Sequence, residues 1–273
     1  MPVRARRWLR RMRGGSQPHL IEADDGHFYV VKPKDNPQHR RVLVNEWLAA
    51  AFLRFLQIAG PEVAAVQIDR EFLASHPEVG VQRGQRLEPI STGCHFGSRM
   101  PGDPAQMAFF DTLPNVLMAK VANLRDLAGL LVFDRWIANA DYRQMVFFRA
   151  QVAVPGTVRP GFLMWAIDHG FAFQGPGWNL KTGGRQGLHH SNPLYESLQD
   201  WEQLEPWLTR IENFPEEVAD QALSSLPREW LGGGDEAELE SLLAQLFRAR
   251  SRIRQTIEDM LRTEASLFPH WPR

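Results

Sequence analysis

Gly14-Gly15-Ser16-Gln17-Pro18 stands directly before two short β patterns, His19 to Ala23 and Phe28 to Lys32, which are joined by Asp24-Asp25-Gly26. Acidic residues followed by glycine between two apolar runs signal a tight turn, so the reading is a β-hairpin preceded by a glycine loop. Glycine has no side chain to hold a ligand away and tolerates unusual backbone angles. The N–H groups of Gly14, Gly15, Ser16 and Gln17 can therefore approach phosphates. In Phe28-Tyr29-Val30-Val31-Lys32 the alternation of a strand puts Val30 and Lys32 on one face, an apolar shelf beside a cation, which suits a purine and its phosphates.

Outward from this stretch, Val42, Leu43, Leu48, Ala49, Phe52, Leu53 and Leu56 recur at helical spacing, and Gly60-Pro61 ends the run, which predicts a helix over about 38–58. Glu46 lies in its apolar middle, where it can supply the carboxylate that a buried Lys32 would need. Val63 to Ile68 reads as a strand. The polar, Pro- and Gly-bearing segment 75–102 reads as a connection with at most one more strand. Beyond residue 90 the texture becomes helical: a helix around 105–113, then one buried helix over about 115–138 with Leu127, Leu130, Leu131, Phe133, Trp136 and Ile137. Met145 to Val154 and Phe162 to Ile167 predict a second hairpin. Asp141 follows the buried helix and Asp168 closes the hairpin, so the fold would bring two carboxylates together, one able to accept a proton and the other to hold Mg²⁺. A glycine-bearing coil follows, then helices that include an amphipathic run over 236–262.

Composition removes several alternatives. The chain has 273 residues, with 44% hydrophobic and 23% charged, which is globular and ample for a core. No apolar run reaches the length of a membrane helix, and no membrane partner is expected. A net charge of -1 gives no global field for polyanions, so nucleic acid is an unfavoured partner. The lone Cys94 excludes an internal disulfide and a thiolate zinc cage and points to a reducing compartment. His169 with His189 and His190 fits no usual metal-ligand spacing. Only four of the 31 basic residues are lysine, and six arginines fall within the first 13 residues without the apolar stretch of a secretory signal. The expectation is a cytoplasmic, bacterial protein whose Arg-rich start is a solvated edge strand.

The order of parts is glycine loop, strand lysine, helix glutamate, connection, buried helix, Asp, hairpin and Asp-x-Gly, which is the order in protein-kinase-like phosphotransferases. Arg13 to His19, Tyr29-Val30-Val31-Lys32, Asn36-Pro37-Gln38 with Val44-Asn45-Glu46, His95 to Arg99, Phe133-Asp134 with Trp136, Asn139-Ala140-Asp141 and Ile167-Asp168-His169-Gly170 make the chain resemble the HipA-like kinase family over nearly its whole length. That family's fold is similar to those of protein kinases and phosphatidylinositol 3- and 4-kinases. The resemblance implies a two-lobed α+β fold, with a β-rich lobe over 1–92 and a helical lobe over 93–273, and with ATP and Mg²⁺ or Mn²⁺ between them. It implies that Gly14, Gly15, Ser16 and Gln17 cover the phosphates, Lys32 contacts them and Glu46 pairs with Lys32. Asp141 would take the catalytic-base position, Asn139 would fix its loop, and Asp168 would be the metal ligand. The better-known members are Ser/Thr protein kinases acting as toxins. One departure stands out: five residues after the catalytic aspartate, kinases carry a metal-binding asparagine, and here that position is Val146. Gln144 is the nearby amide that could substitute. The alternative is a nucleotide-binding pseudokinase that serves as a regulatory or interaction module.

Overall fold

Tyr29 and Val31 face the interior of a barrel, and Val30 and Lys32 face away from it, so the strand that carries the lysine separates the barrel core from the side on which Glu46 and Asp168 lie. The computed structural model describes residues 1–154, 157–181, 187–189 and 193–272. The N-terminal part holds β1 (Val3–Arg11), β2 (His19–Ala23), β3 (Phe28–Lys32), α1 (Arg41–Leu56), β4 (Val63–Ile68), α2 (Arg70–Ser75), β5 (Gly80–Arg83), β6 (Arg86–Pro89) and β7 (Gly93–Arg99). Strands in the order β1-β2-β3-β7-β4 close into a barrel, and β5–β6 form a separate hairpin. The segment after residue 75 thus holds three strands rather than at most one. Drawn by strand pairing, the edge of the β-rich part falls after Arg99, because β7 pairs with both β3 and β4. β1 is not an edge: it pairs antiparallel with β2 and, at Val3 and Arg4, parallel with β4.

The rest contains β8 (Phe109–Phe110), α3 (Asn115–Met118), α4 (Asp126–Trp136), β9 (Gln144–Val154), β10 (Thr157–Ile167), α5 (Pro193–Glu196), α6 (Trp207–Glu212), α7 (Glu216–Ser224), α8 (Asp235–Arg250) and α9 (Ile253–Thr263). Three expected helices are altered, each by a tertiary partner. In place of the helix around 105–113, β8 joins the β9–β10 sheet. The expected 115–138 helix is two, because Lys120 O accepts from Phe162 N at 3.0 Å and Phe162 O from Ala122 N at 2.9 Å, holding the intervening chain against β10. Asn123 completes the break by exchanging bonds with both Met164 backbone groups. The C-terminal run splits at Ser251-Arg252 into α8 and α9, which lets α9 pack across α4 and α6.

α1 is apolar nearly all round, the signature of a helix enclosed by protein. Phe52 meets Trp136, Phe173 and Phe214 at ring-centroid distances of 5.6, 6.4 and 4.9 Å, so α1 belongs to the same core as α4 and the C-terminal helices although it follows the barrel strands in sequence. A smaller core of Ile21, Tyr29, Val31, Val66 and Ile68 fills the barrel side.

Two buried histidines stitch this smaller part together. His19 Nε2 donates to Gly80 O at 3.1 Å, while its Nδ1 accepts from Trp8 Nε1 at 3.2 Å. His95 Nδ1 accepts from Lys34 N at 3.0 Å and its Nε2 donates to Ser91 O at 3.0 Å. Burial holds each neutral, its pKa lowered to about 4. An unfolded histidine takes up a proton near pH 6.5, so between that value and about 4 the unfolded chain binds more protons and stability falls with pH. Each ring should remove about 2 kcal/mol of unfolding free energy between pH 7 and pH 5. Urea midpoints that decline over that interval, where carboxylates contribute little, are the expected result; a flat profile would show these rings titrating normally.

Candidate active site

The centre of the site is the ammonium group of Lys32 at the end of β3. It donates to Glu46 Oε1 of α1 and, at 2.7 Å, to Asp168 Oδ1 beyond β10. Lys32 is 8% and Glu46 3% exposed, whereas the Asp168 side chain is 34% exposed and opens to solvent. Burial works against charge on Lys32, yet the fields of Glu46 and Asp168 outweigh it and raise its pKa above the ordinary lysine value. Lys32 in turn lowers the pKa of Asp168. One cation between two carboxylates leaves a local charge of about -1. Lys34 is engaged elsewhere: it donates to Thr92 O at 2.8 Å and forms an ion pair with Glu229.

Asp168 stands at φ +59°, in the left-handed region that aspartate tolerates better than most residues. The segment beyond it is held from α1. Asn45 Nδ2 lies 2.8, 3.0 and 3.0 Å from the carbonyls of Gly170, Ala172 and Gly175, and its Oδ1 accepts from Trp178 Nε1 at 2.8 Å. The backbone of His169 donates to Glu46. A Cβ at Gly170 would lie 3.3 Å from Val42 Cβ, so glycine lets this segment close on α1.

Asn139 sits between α4 and Asp141. Its Nδ2 donates to Asp134 Oδ1 at 3.1 Å and its Oδ1 accepts from the Asp141 backbone at 3.3 Å. Asp141 itself is half-buried, and no hydrogen bond joins it to Asp168. A buried ion pair connects the two loops instead. Arg143 donates through Nε to Asp134 Oδ2 at 2.8 Å and through Nη2 to Asp134 Oδ1, with each side chain 1% exposed. Its Nη1 donates to Ile167 O at 2.9 Å and to His169 Nδ1 at 3.2 Å, on either side of Asp168. Because arginine only donates, that His169 nitrogen is the acceptor, and burial with the Arg143 charge keeps the ring neutral. Asp134, Arg143 and Asn45 carry no assigned role in the sequence reading. The available signal was polar residues inside otherwise apolar helices, and for Arg143 its place two residues after Asp141.

The glycine loop joins β1 to β2. Gly14 stands at φ +137°, and a Cβ at Gly15 would lie 2.4 Å from Gln38 Nε2, so the loop rests closely on the segment that follows Lys32. Ser16 is buried. The Gln17 side chain faces the β5 backbone, where Nε2 donates to Gln82 O at 2.9 Å and Oε1 accepts from Gln82 N at 2.7 Å, so it braces the loop. Gln144 is exposed and opens β9 directly opposite Ile167, next to Asp168. Val146 pairs with Trp165 and offers no ligand atom. Among the described residues no three His, Cys, Asp or Glu side chains form a metal cage, and His190 lies outside the described residues.

A family model of the HipA-like kinases matches residues 6–261, and the chain belongs to that family. The two-lobed, kinase-like α+β architecture is the fold that membership carries. Among solved structures, a crystal structure of the Golgi casein kinase is similar at a TM-score of 0.48 and 13% identity, covering 94% of this chain and 72% of that one. A structure of the Golgi casein kinase with Mn/ADP bound gives 0.46 and 13%, covering 92% and 72%. No curated protein matches the chain.

The Asp134–Arg143 pair generates a stability test. Removing one member leaves an uncompensated buried charge, so Asp134→Leu and Arg143→Met should each cost about 3–5 kcal/mol, and the double variant should cost clearly less than their sum. Urea denaturation of the four proteins reads the coupling; additive losses would mean the two charges act independently.

Proposed function

We propose that this HipA-like kinase transfers the γ-phosphoryl group of ATP to a hydroxyl acceptor, a protein Ser or Thr being one such group. The observation that supports it most is the buried Lys32 ammonium, shared between a helix glutamate and the aspartate at a hairpin end. Three distant parts of the chain converge there on a fixed cation beside a glycine loop. Such a constellation can hold a triphosphate at its mouth.

In this reading the backbone of Gly14, Gly15, Ser16 and Gln17 covers the phosphates and Lys32 draws on their charge. Glu46 keeps Lys32 ionised and in place. Asp168 has its second oxygen without a hydrogen bond among the described residues and partly open to solvent, which fits a hard divalent ion held by one carboxylate together with phosphate oxygens. Mg²⁺ or Mn²⁺, when bound, neutralises charge on the phosphoryl oxygens. Gln144, paired with Ile167 at the start of β9, is the amide this reading assigns as an added ligand where Val146 cannot serve. Asp141 accepts the proton of the attacking hydroxyl, and Asn139 holds its backbone in position. Val146 also favours a second reading, a pseudokinase that binds nucleotide for regulation or interaction. No helix among the described residues is long and apolar enough to cross a membrane.

The two aspartates should fail differently. Asp168→Asn should abolish most of the rise in melting temperature caused by Mg-ATP and all transfer of labelled phosphate. Asp141→Asn should keep the thermal shift and lower transfer by about 10²-fold or more. Gln144→Ala should raise the metal concentration needed for half-maximal activity. If the wild type gains stability from Mg-ATP but passes no phosphate to itself, to added protein or to water at any Mg²⁺ or Mn²⁺ concentration, the pseudokinase reading replaces the kinase.

A further inference from the structure

The arginines of β1 are not accounted for by the fold. Arg4, Arg6, Arg7, Arg10 and Arg11 on the strand, and Arg13 just beyond it, are all exposed. Simple alternation would turn some of them inward. The pairing with β2 prevents this through two irregularities, in which Arg6 and Leu9 are extra residues on the β1 side. Each bulge resets the alternation, so Val3, Ala5 and Trp8 pack on the barrel-side core while Arg4, Arg7 and Arg10 stay outside, and Arg11, opposite His19, is exposed at the end of the strand. Arg7 is matched by Glu22 at 2.6 Å. Among the described residues no carboxylate pairs with Arg6, Arg10, Arg11 or Arg13.

A second basic element meets this one at the glycine loop. The β5–β6 hairpin is fastened there by the Gln17–Gln82 amide bonds and by His19 Nε2 on Gly80 O. Arg11 pairs in register with His19, and its charge helps to lower the pKa of that ring. Across the hairpin, Arg83 is neutralised by Glu88 at 3.1 Å, whereas Arg86 is exposed and pairs with no carboxylate among the described residues. Guanidinium groups without a carboxylate partner among the described residues thus stand on both elements that meet at the glycine loop, in a chain whose net charge is only -1.

We propose that Arg10, Arg11, Arg13 and Arg86 form a docking rim for an acidic segment of the protein that receives the phosphate; its placement rests on the phosphotransferase reading above. Guanidinium forks match carboxylates in paired hydrogen bonds, and several together order an extended acidic chain. β1 pairs with β2 over Ala5 to Arg11 and with β4 only at Val3 and Arg4, so selection for acidic residues rests on the guanidinium side chains. A single-stranded nucleic acid fits less well. Strands of that kind are held by aromatic stacking as well as charge, and the aromatic among these arginines, Trp8, packs on the core with its Nε1 bonded to His19.

The test uses the full chain and a fluorescein-labelled peptide of glutamates around one serine, followed by anisotropy. The wild type should bind it, with affinity falling as salt rises, and the triple variant Arg10→Ala, Arg11→Ala, Arg86→Ala should bind about tenfold or more weakly while keeping the same melting temperature. Absence of peptide binding, equal binding by the variant, or tighter binding of a labelled oligouridylate than of the peptide would each overturn the proposal. Mg-ATP thermal shifts recorded on the same samples separate the two readings. A wild type that binds the peptide but gains nothing from Mg-ATP contradicts the phosphotransferase and leaves the acidic docking surface standing.

Discussion

The structure turns on taking one ammonium group out of water. An unpaired buried lysine would lose its proton or cost several kcal/mol, and Lys32 avoids both by meeting Glu46 and Asp168 at once. Those partners belong to α1 and to the end of β10, so the barrel, the buried helix and the second hairpin must be set against one another for the cation to be tolerated. The same requirement leaves the ion cluster slightly anionic. Under the proposed function, one positive charge between two negative ones favours triphosphate that arrives with a divalent ion over triphosphate alone.

α1 carries most of the consequence. Asn45, one residue from Glu46, ties the helix to the segment after Asp168. Trp47 Nε1 donates to Ala222 O at 3.0 Å. Arg41 joins Asp235 at 2.6 Å and Glu238 at 2.7 Å and lies 4.2 Å over the Trp178 ring. From the far side, Glu229 accepts from Lys34 and from Cys94 N, and Trp230 Nε1 donates to Cys94 O at 2.8 Å. The meeting of Lys32 and Glu46 is therefore set by packing and by ties between both halves of the molecule.

What could be read in advance was local. Strong periodicity and turn chemistry marked β2, β3, α1, β4 and the β9–β10 hairpin within a few residues, because each is decided by its own alternation, spacing and glycine or proline ends. The residues of the lysine triad were legible as types in an order. What escaped was decided at long range. Residues 120–123 follow an acceptable helical pattern, yet β10 and Asn123 offer them better-paired backbone, and the helix yields. Arg6 and Arg7 look like part of an alternating edge strand, but the two bulges and the parallel contact with β4 depend on partners some 15 to 60 residues away. Arg143 escaped for the same reason: its side chain's three partners, Asp134, Ile167 and His169, sit on α4 and around the end of β10, far from it in sequence.

Both carboxylate loops start from a residue in the left-handed region, Ala138 at φ +49° before Asn139-Ala140-Asp141 and Asp168 itself at φ +59°. Outside glycine such a conformation costs about 1 kcal/mol or more and persists only where surrounding contacts impose it. Around Ala138 those contacts are the Gln174 N–H on its carbonyl at 3.1 Å and the Ala140 N–H on Phe171 O at 2.9 Å, so the first loop is shaped by the chain that follows the second. Around Asp168 they are Arg143 on Ile167 O and Lys32 on its carboxylate, so the second loop is shaped by the chain that follows the first. Each loop thus supplies what the other needs to keep its turn. Two carboxylates that do not touch are in this way held in a constant relation, which the proposed transfer, with a hydroxyl on one side and a phosphate on the other, would require.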